Sequence, residues 1–375
     1  MTSLRACLLC TLLLPLGCKS EETPAADAGL DRSIVDGVPP AGDGPKPPPS
    51  DGAPPAPDSP KPKLDTAPGA PLNPNPPGAT VRLVFIHHSV GEDWSSPFHG
   101  ALLGALNTNK YYLSDSNYSW GPDAIGDRTD IGHWHDWFLS QSGKNVYLPA
   151  LFKNTDLTSS IAPNSMASPG GENTVVMFKS CFVSGDTVHG NPSDAPLAKG
   201  TANPLYGKEQ SEDQFYTVAN IKGLYRDLLD TFATRQDKLF VLITTPPSSS
   251  GNTTASDATN LRAVNTWLVR DWLKGYAHAN VAVFDFHNVL TSNGGGASTN
   301  DLGAATGSHH RYNASTKAVE HLVGGSNYAA YAVGGDDHPT DAGHKKATAE
   351  FLPLLNIAYH CWKGSGGCPT LMGRE

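Results

Sequence analysis

The 375-residue chain is poor in charge. Only 17% of its residues are Asp, Glu, Lys or Arg, and the balance is acidic, 36 against 27, for a formal net charge of −9. A nucleic-acid binder needs a basic face to displace counterions, so that class is excluded. No apolar run reaches the roughly 20 residues of a membrane-spanning helix. Cysteine is scarce, with six residues, and beyond Cys18 none is spaced as a CxxC pair or a Cys/His zinc set. The 14 histidines are scattered without ligand spacing, and neither a metal nor a cofactor is expected. Aromatic and long aliphatic side chains are almost missing from residues 21–80, where 17 of the 31 prolines fall. Such a segment cannot bury enough apolar surface to offset its chain entropy. Roughly 295 residues remain, enough for one sizeable core.

The N-terminus reads as an address. One early positive charge, Arg5, precedes the apolar run Leu8–Leu16, which is too short to span a membrane. The stretch ends Leu14-Pro15-Leu16-Gly17-Cys18. A small residue directly before Cys resembles a bacterial lipoprotein signal, although Pro15 stands where an aliphatic residue is usual; the alternative is an ordinary signal peptide cut nearby. The resemblance implies that residues 1–17 are removed, that Cys18 takes lipid and that the protein is held in the cell envelope. Lys19 and Ser20 follow the Cys, and the lack of Asp there implies the outer membrane. Residues 18–80 are then a tether, with polyproline II character around Pro45-Lys46-Pro47-Pro48-Pro49. The folded domain is expected over 81–375, as a monomer. Near its end, Cys361 and Cys368 flank a short Gly-containing loop and are candidates for a disulfide in an oxidising compartment, which leaves Cys181 free and buried.

Four continuous apolar runs, Val81–Ile86, Thr174–Phe178, Leu239–Thr244 and Val281–Phe286, read as buried parallel strands. Asn145–Leu148 is the candidate for a fifth. Helical periodicity marks Pro97–Leu106, Asp213–Phe232 and Asp257–Tyr276, and a last helix over Asp341–Leu355 carries Pro353 as a kink. Strands alternating with helices predict an α/β, three-layer, flavodoxin-like fold with a central, mainly parallel five-stranded sheet. Asn107–Arg128, Val183–Glu212 and Thr291–Gly335 are expected as long polar loops, which in a compact domain usually carry function.

The first strand runs into Ile86-His87-His88-Ser89-Val90-Gly91. A Ser directly after a buried strand, before a helix, either presents its hydroxyl at the sheet edge or simply caps the helix. Near the C-terminus stands Gly334-Gly335-Asp336-Asp337-His338-Pro339-Thr340-Asp341-Ala342-Gly343-His344. A carboxylate beside a His can fix the imidazole tautomer and stabilise its charged form, or it can be an acidic cap beside a surface His.

Together these two stretches resemble the SGNH (GDSL-like) hydrolases, in which Ser follows the first strand and Asp and His lie in one block before the last helix. The resemblance spans most of Val81–Trp362 and rests on short motifs and strand order. It implies a serine esterase with Ser89 as nucleophile and His338 as general base. Two departures stand out. His87-His88-Ser89 replaces Gly-Asp-Ser, and the position three before His338 is Gly335 rather than Asp. Asp336 is therefore the chosen orienting acid, with Asp337 beside it, and Asp341 with His344 is the alternative dyad because its three-residue spacing is the usual one.

For the oxyanion hole the resemblance implies the Ser89 backbone N–H, a Gly after the first helix, for which Gly126 and Gly121 are candidates, and an Asn after the third strand. Lys179-Ser180-Cys181-Phe182 has no such Asn, so Ser180 stands in, with Asn191 a remote substitute. In Asp130–Trp137, Trp134 and Trp137 would either stack on sugar rings or be buried with Ile131 at a spacing of three. His309-His310 reads as a surface loop pair. The expected substrate is an O-acetylated carbohydrate or another surface ester, and few large apolar residues near the motifs argue against a long-chain lipase. A carbohydrate O-acetyltransferase using the same Ser is the first alternative. A non-catalytic, glycan-binding lipoprotein is the second.

Overall fold

The computed structural model describes residues 70–332 and 336–375. The leader, Cys18 and the tether up to residue 69 lie outside the described residues. Five parallel strands form the central sheet: β1 (Val81–Ile86), β2 (Tyr111–Ser116), β3 (Val175–Lys179), β4 (Leu239–Ile243) and β5 (Val281–Phe284). Their order is β2-β1-β3-β4-β5, the flavodoxin-like arrangement. All six residues of β1 are buried, as a strand covered on both faces requires.

Successive side chains of each strand feed opposite faces. Leu83 and Phe85 enter one core with α1 (Ser89–Ser95), α2 (Leu102–Thr108) and the long α7 (Asp341–Trp362). Val84 and Ile86 enter the other, under the helical turns of 131–152, α4 (Val218–Ala233) and α5 (Ala255–Arg270). The remaining elements are α3 (Leu148–Lys153), α6 (Phe286–Val289) and an antiparallel hairpin of β6 (His309–Asn313) and β7 (Ala318–Leu322). Among the described residues no helix is long and apolar enough to cross a membrane.

Several sequence expectations need correction. Asn145–Leu148 is helical: it spans the end of the turn Gly143–Tyr147 and the start of α3. Its one β-branched residue, Val146, is 43% exposed, so nothing there favours a strand buried on both faces. The fifth strand is β2, inside a segment that reads as loop. Its second half, Ser114-Asp115-Ser116, is polar yet buried, and for Ser114 and Asp115 internal bonds supply the compensation that burial demands. Ser114 Oγ donates to Asn173 Oδ1 (3.2 Å), and Asp115 accepts from Thr158 N–H (2.8 Å) and Thr158 Oγ1 (2.6 Å).

Caps set the helix starts. α4 begins only at Val218, because Thr217 Oγ1 accepts the Asn220 N–H (3.2 Å), and α5 begins at Ala255, because Thr254 Oγ1 accepts that of Asp257 (3.1 Å). α7 continues through Pro353 to Trp362. The expected loop 291–335 contains the β6–β7 hairpin, so His309 and His310 are not surface residues. Both are fully buried, with His309 Nδ1 2.7 Å from Glu350 Oε1 and the His310 N–H donating to Glu350 Oε2 (2.9 Å).

Cys361 and Cys368 are disulfide-bonded, and Cys181 is free and buried. Residues 70–80, assigned by composition to the tether, lie along the domain. Asn356 Nδ2 donates to the Pro74 carbonyl (2.9 Å), the Gly367 N–H to that of Pro71 (3.0 Å), and Lys110 Nζ to that of Gly78 (3.1 Å).

Candidate active site

β1 ends at Ile86, and two histidines carry the chain over the carboxyl edge of the sheet into α1. His87 is fully buried between Asp115 Oδ2 (Nε2, 3.1 Å) and its neighbour's carbonyl (Nδ1, 2.9 Å). Burial alone would raise the Asp115 pKa, but hydrogen bonds from His87 and Thr158 outweigh it and hold the carboxyl below its usual range. His88 is lowered to about 4 by burial, so it is neutral, and its Nε2–H donates to the Gly126 carbonyl (2.7 Å). These two anchors fix the backbone immediately before Ser89, which occupies the first position of α1.

The C-terminal block meets it there. His338 Nε2 lies 2.7 Å from Ser89 Oγ, and His338 Nδ1 lies 2.6 Å from Asp336 Oδ1. The Asp336 oxygen also accepts the His338 backbone N–H (3.0 Å). That local bond is why a spacing of two works here: the carboxylate folds back over its own turn and meets ring and backbone together. The hydrogen bond from the His338 ring holds the Asp336 pKa below the ordinary carboxylate value. An ionised Asp336 accepts Nδ1–H, leaving Nε2 with its lone pair toward the Ser89 hydroxyl. The Phe182 ring stands edge-on to the imidazole at 5.1 Å.

The other candidates are placed elsewhere. Asp337 is buried and accepts from the Ser249 N–H (2.9 Å) and Asn252 Nδ2 (2.9 Å), tying the loop to the β4–α5 connection. Asp341 pairs with His99 Nδ1 (2.8 Å). His344 is fully buried, and its pKa is lowered to about 3, chiefly by burial and then by the Lys179 charge. The Asp341–His344 dyad is thus not formed. Gly126 is not an available oxyanion donor: its N–H donates to the Trp120 carbonyl (2.9 Å) and its carbonyl serves His88. Ser180 is buried on the α4 side of the sheet, near the Tyr225 phenol, one residue out of phase with Cys181 on the opposite side. Trp134 and Trp137 are both fully buried. Trp134 lies against Phe178 (5.1 Å), and Trp137 Nε1 donates to the Arg128 carbonyl (2.7 Å), so the burial reading holds and neither can stack on a sugar.

Two neighbours of Ser89, Cys181 and Tyr118, and a buried lysine near Cys181 carry no signal in the sequence. Cys181 Sγ is 3.9 Å from Ser89 Oγ. The parallel register pairs Ile86 with Phe178, and three further residues on each strand bring Ser89 level with Cys181. Lys179 is fully buried and donates to the Ser180 carbonyl (3.0 Å); burial lowers its pKa. Tyr118 stacks on the His88 ring at 4.0 Å. Among the described residues no group of three or more His, Cys, Asp or Glu is placed to hold a metal ion.

No family model matches the chain, and no curated protein matches it. A solved crystal structure is similar over 74% of this chain and 96% of its own, at 11% identity and a TM-score of 0.30, a likeness too slight to carry an argument.

Proposed function

We propose that the protein is a serine esterase of the SGNH type working through an acyl-enzyme, with an O-acetylated carbohydrate or related surface ester as substrate. The observation that carries this reading is the continuous chain Asp336–His338–Ser89, with contacts of 2.6 and 2.7 Å, at the carboxyl edge of a parallel sheet. His338 Nε2 takes the hydroxyl proton as Ser89 Oγ attacks the ester carbonyl carbon. The tetrahedral oxyanion collapses, and the alcohol leaves with the proton from Nε2. Water then gives its proton to Nε2 and attacks the acyl-Ser89 carbonyl; the acid departs and Ser89 recovers its proton. Asp336 stays ionised throughout and offsets the imidazolium charge.

The glycan-binding alternative loses its tryptophan platform, because Trp134 and Trp137 are buried. An O-acetyltransferase would use the same residues with a sugar hydroxyl in place of water. Release of acetate from acetylated xylan, with and without an added glycan acceptor, separates the two. The proposed setting is the bacterial envelope, with the domain attached through lipid on Cys18. The test of the esterase reading is labelling by a fluorophosphonate together with hydrolysis of p-nitrophenyl acetate. Modification at Ser89 and loss of both in Ser89→Ala are expected. A folded wild type that neither labels nor turns over ester refutes it.

A further inference from the structure

The Gly126 N–H is taken by the Trp120 carbonyl and the Ser180 hydroxyl lies on the other face of the sheet, so neither joins the Ser89 N–H as an oxyanion donor. The structure offers a different one. β1 and β2 pair in parallel with Ile86 opposite Ser116, so two more residues on each strand set His88 beside Tyr118. The two rings stack at 4.0 Å and 25°. The tyrosine is 54% exposed beside the candidate site. The Ser89 backbone N–H and hydroxyl both lie near enough to the phenol to favour its ionised form, with Cys181 nearby. The supporting loop is fixed at several points. The Tyr118 N–H donates to Asn117 Oδ1 (2.9 Å), and Asn117 Nδ2 to Glu92 Oε2 (2.7 Å) on α1. Ser119, at φ +60°, donates its N–H to Asp127 Oδ1 (2.7 Å). Partial burial raises the phenol pKa, so the group is protonated at neutral pH and able to donate.

We propose that Tyr118 is a catalytic residue of the esterase reaction, its phenol O–H joining the Ser89 N–H as a donor to the oxyanion. In the free protein the phenol of Tyr118 and the Ser89 N–H are neighbours across the stacked His88 ring. An ester carbonyl oxygen entering between them accepts the N–H, and the phenol turns its O–H onto the same oxygen as negative charge develops. No bond to Tyr118 forms and its proton is not transferred; it stabilises charge by a hydrogen bond that strengthens in the transition state. A phenol so placed occupies the role that a carboxamide fills in the family that this chain resembles.

The inference rests on the esterase reading, and its test keeps the two apart. Wild type, Ser89→Ala and Tyr118→Phe are compared on p-nitrophenyl acetate, with melting temperature as the control for folding. Tyr118→Phe keeps the ring on His88 and loses only the donor. Its kcat is expected to fall about 100- to 1000-fold, the size of effect seen when one such donor is removed elsewhere, with KM within about threefold. A boronic acid, which forms a tetrahedral anion on an active serine, is expected to bind Tyr118→Phe more weakly by a similar factor. Turnover in wild type that disappears in Ser89→Ala but persists within threefold in Tyr118→Phe, with unchanged boronate affinity, overturns this proposal alone. A rise in kcat for Tyr118→Phe would mean that the phenol blocks the site, which also overturns it. An inactive, folded wild type overturns both readings.

Discussion

Replacing Asp336 tests whether an exposed acid orients the imidazole of the proposed catalytic site. Its side chain is 69% exposed, although it lies 2.6 Å from His338 Nδ1. In a well-studied serine triad whose Asp is buried, Asp→Asn costs about 10⁴ in kcat because the imidazole takes the wrong tautomer. Two features here argue for a smaller loss. The His338 N–H holds the same oxygen at 3.0 Å, so a carboxamide at this position keeps an acceptor facing Nδ1–H and the tautomer survives. Water also solvates the imidazolium in place of the lost charge. What remains is the difference between a charged and a neutral acceptor, about 1–1.5 kcal/mol. That corresponds to a drop in kcat of about 5- to 12-fold for Asp336→Asn. The assay is kcat on p-nitrophenyl acetate, run beside Asp337→Asn. The latter weakens the bonds from Ser249 and Asn252 and should lower the melting temperature with kcat within about threefold. Full activity in Asp336→Asn, with collapse in a stably folded Asp337→Asn, would refute the assignment.

Further predictions concern the interior. Burial holds His287, His310 and His344 at a pKa of about 3. Unfolded, each would titrate near 6.5, so the folded values are the lower ones; their stabilisation is complete above that pH and is lost as the pH falls toward 3. Between pH 7 and 5 each costs about 2 kcal/mol, which urea midpoints at the two pH values will register; an unchanged midpoint contradicts the burial argument. Asp186, raised to about 6 by burial, opposes this weakly, because its contribution is present at low pH and is lost as the pH rises through 6. Lys179 is buried without a carboxylate within ion-pairing distance among the described residues, so Lys179→Met should leave the melting temperature unchanged or raise it, and a drop of several degrees would count against an uncompensated cation. Removing the Cys361–Cys368 disulfide by a double Ala substitution should cost about 2.5 kcal/mol by loop-closure entropy, read from urea midpoints, with esterase kcat unchanged.

Much of the fold was legible where burial is written in continuous apolar letters. β1, β3, β4 and β5 are such runs, and the alternation with helices led to the correct sheet class. β2 was hidden because Ser114 and Asp115 are buried through partners, Asn173 and Thr158, that lie far along the chain. His309 and His310 were misplaced for a related reason: their acceptor, Glu350, sits on α7 some 40 residues away. Within the site, Ser89, His338 and Asp336 could be picked out because each stands in a short motif beside a predictable strand or helix end. Cys181 and Tyr118 carry no motif. They reach Ser89 only through the register of adjoining strands, which follows once the strand order and β2 are known. Gly126 and Ser180 follow from analogy of position, and a carbonyl neighbour and the opposite pleat remove them from the oxyanion role.

The way residues 70–78 fasten to the domain sets where the chain enters it. They are held by Asn356, Gly367 and Lys110, beside the entry of β1 and β2 into the sheet, whereas Ser89 sits where β1 leaves it. The chain therefore reaches the domain at the end of the parallel sheet opposite the one that carries Ser89.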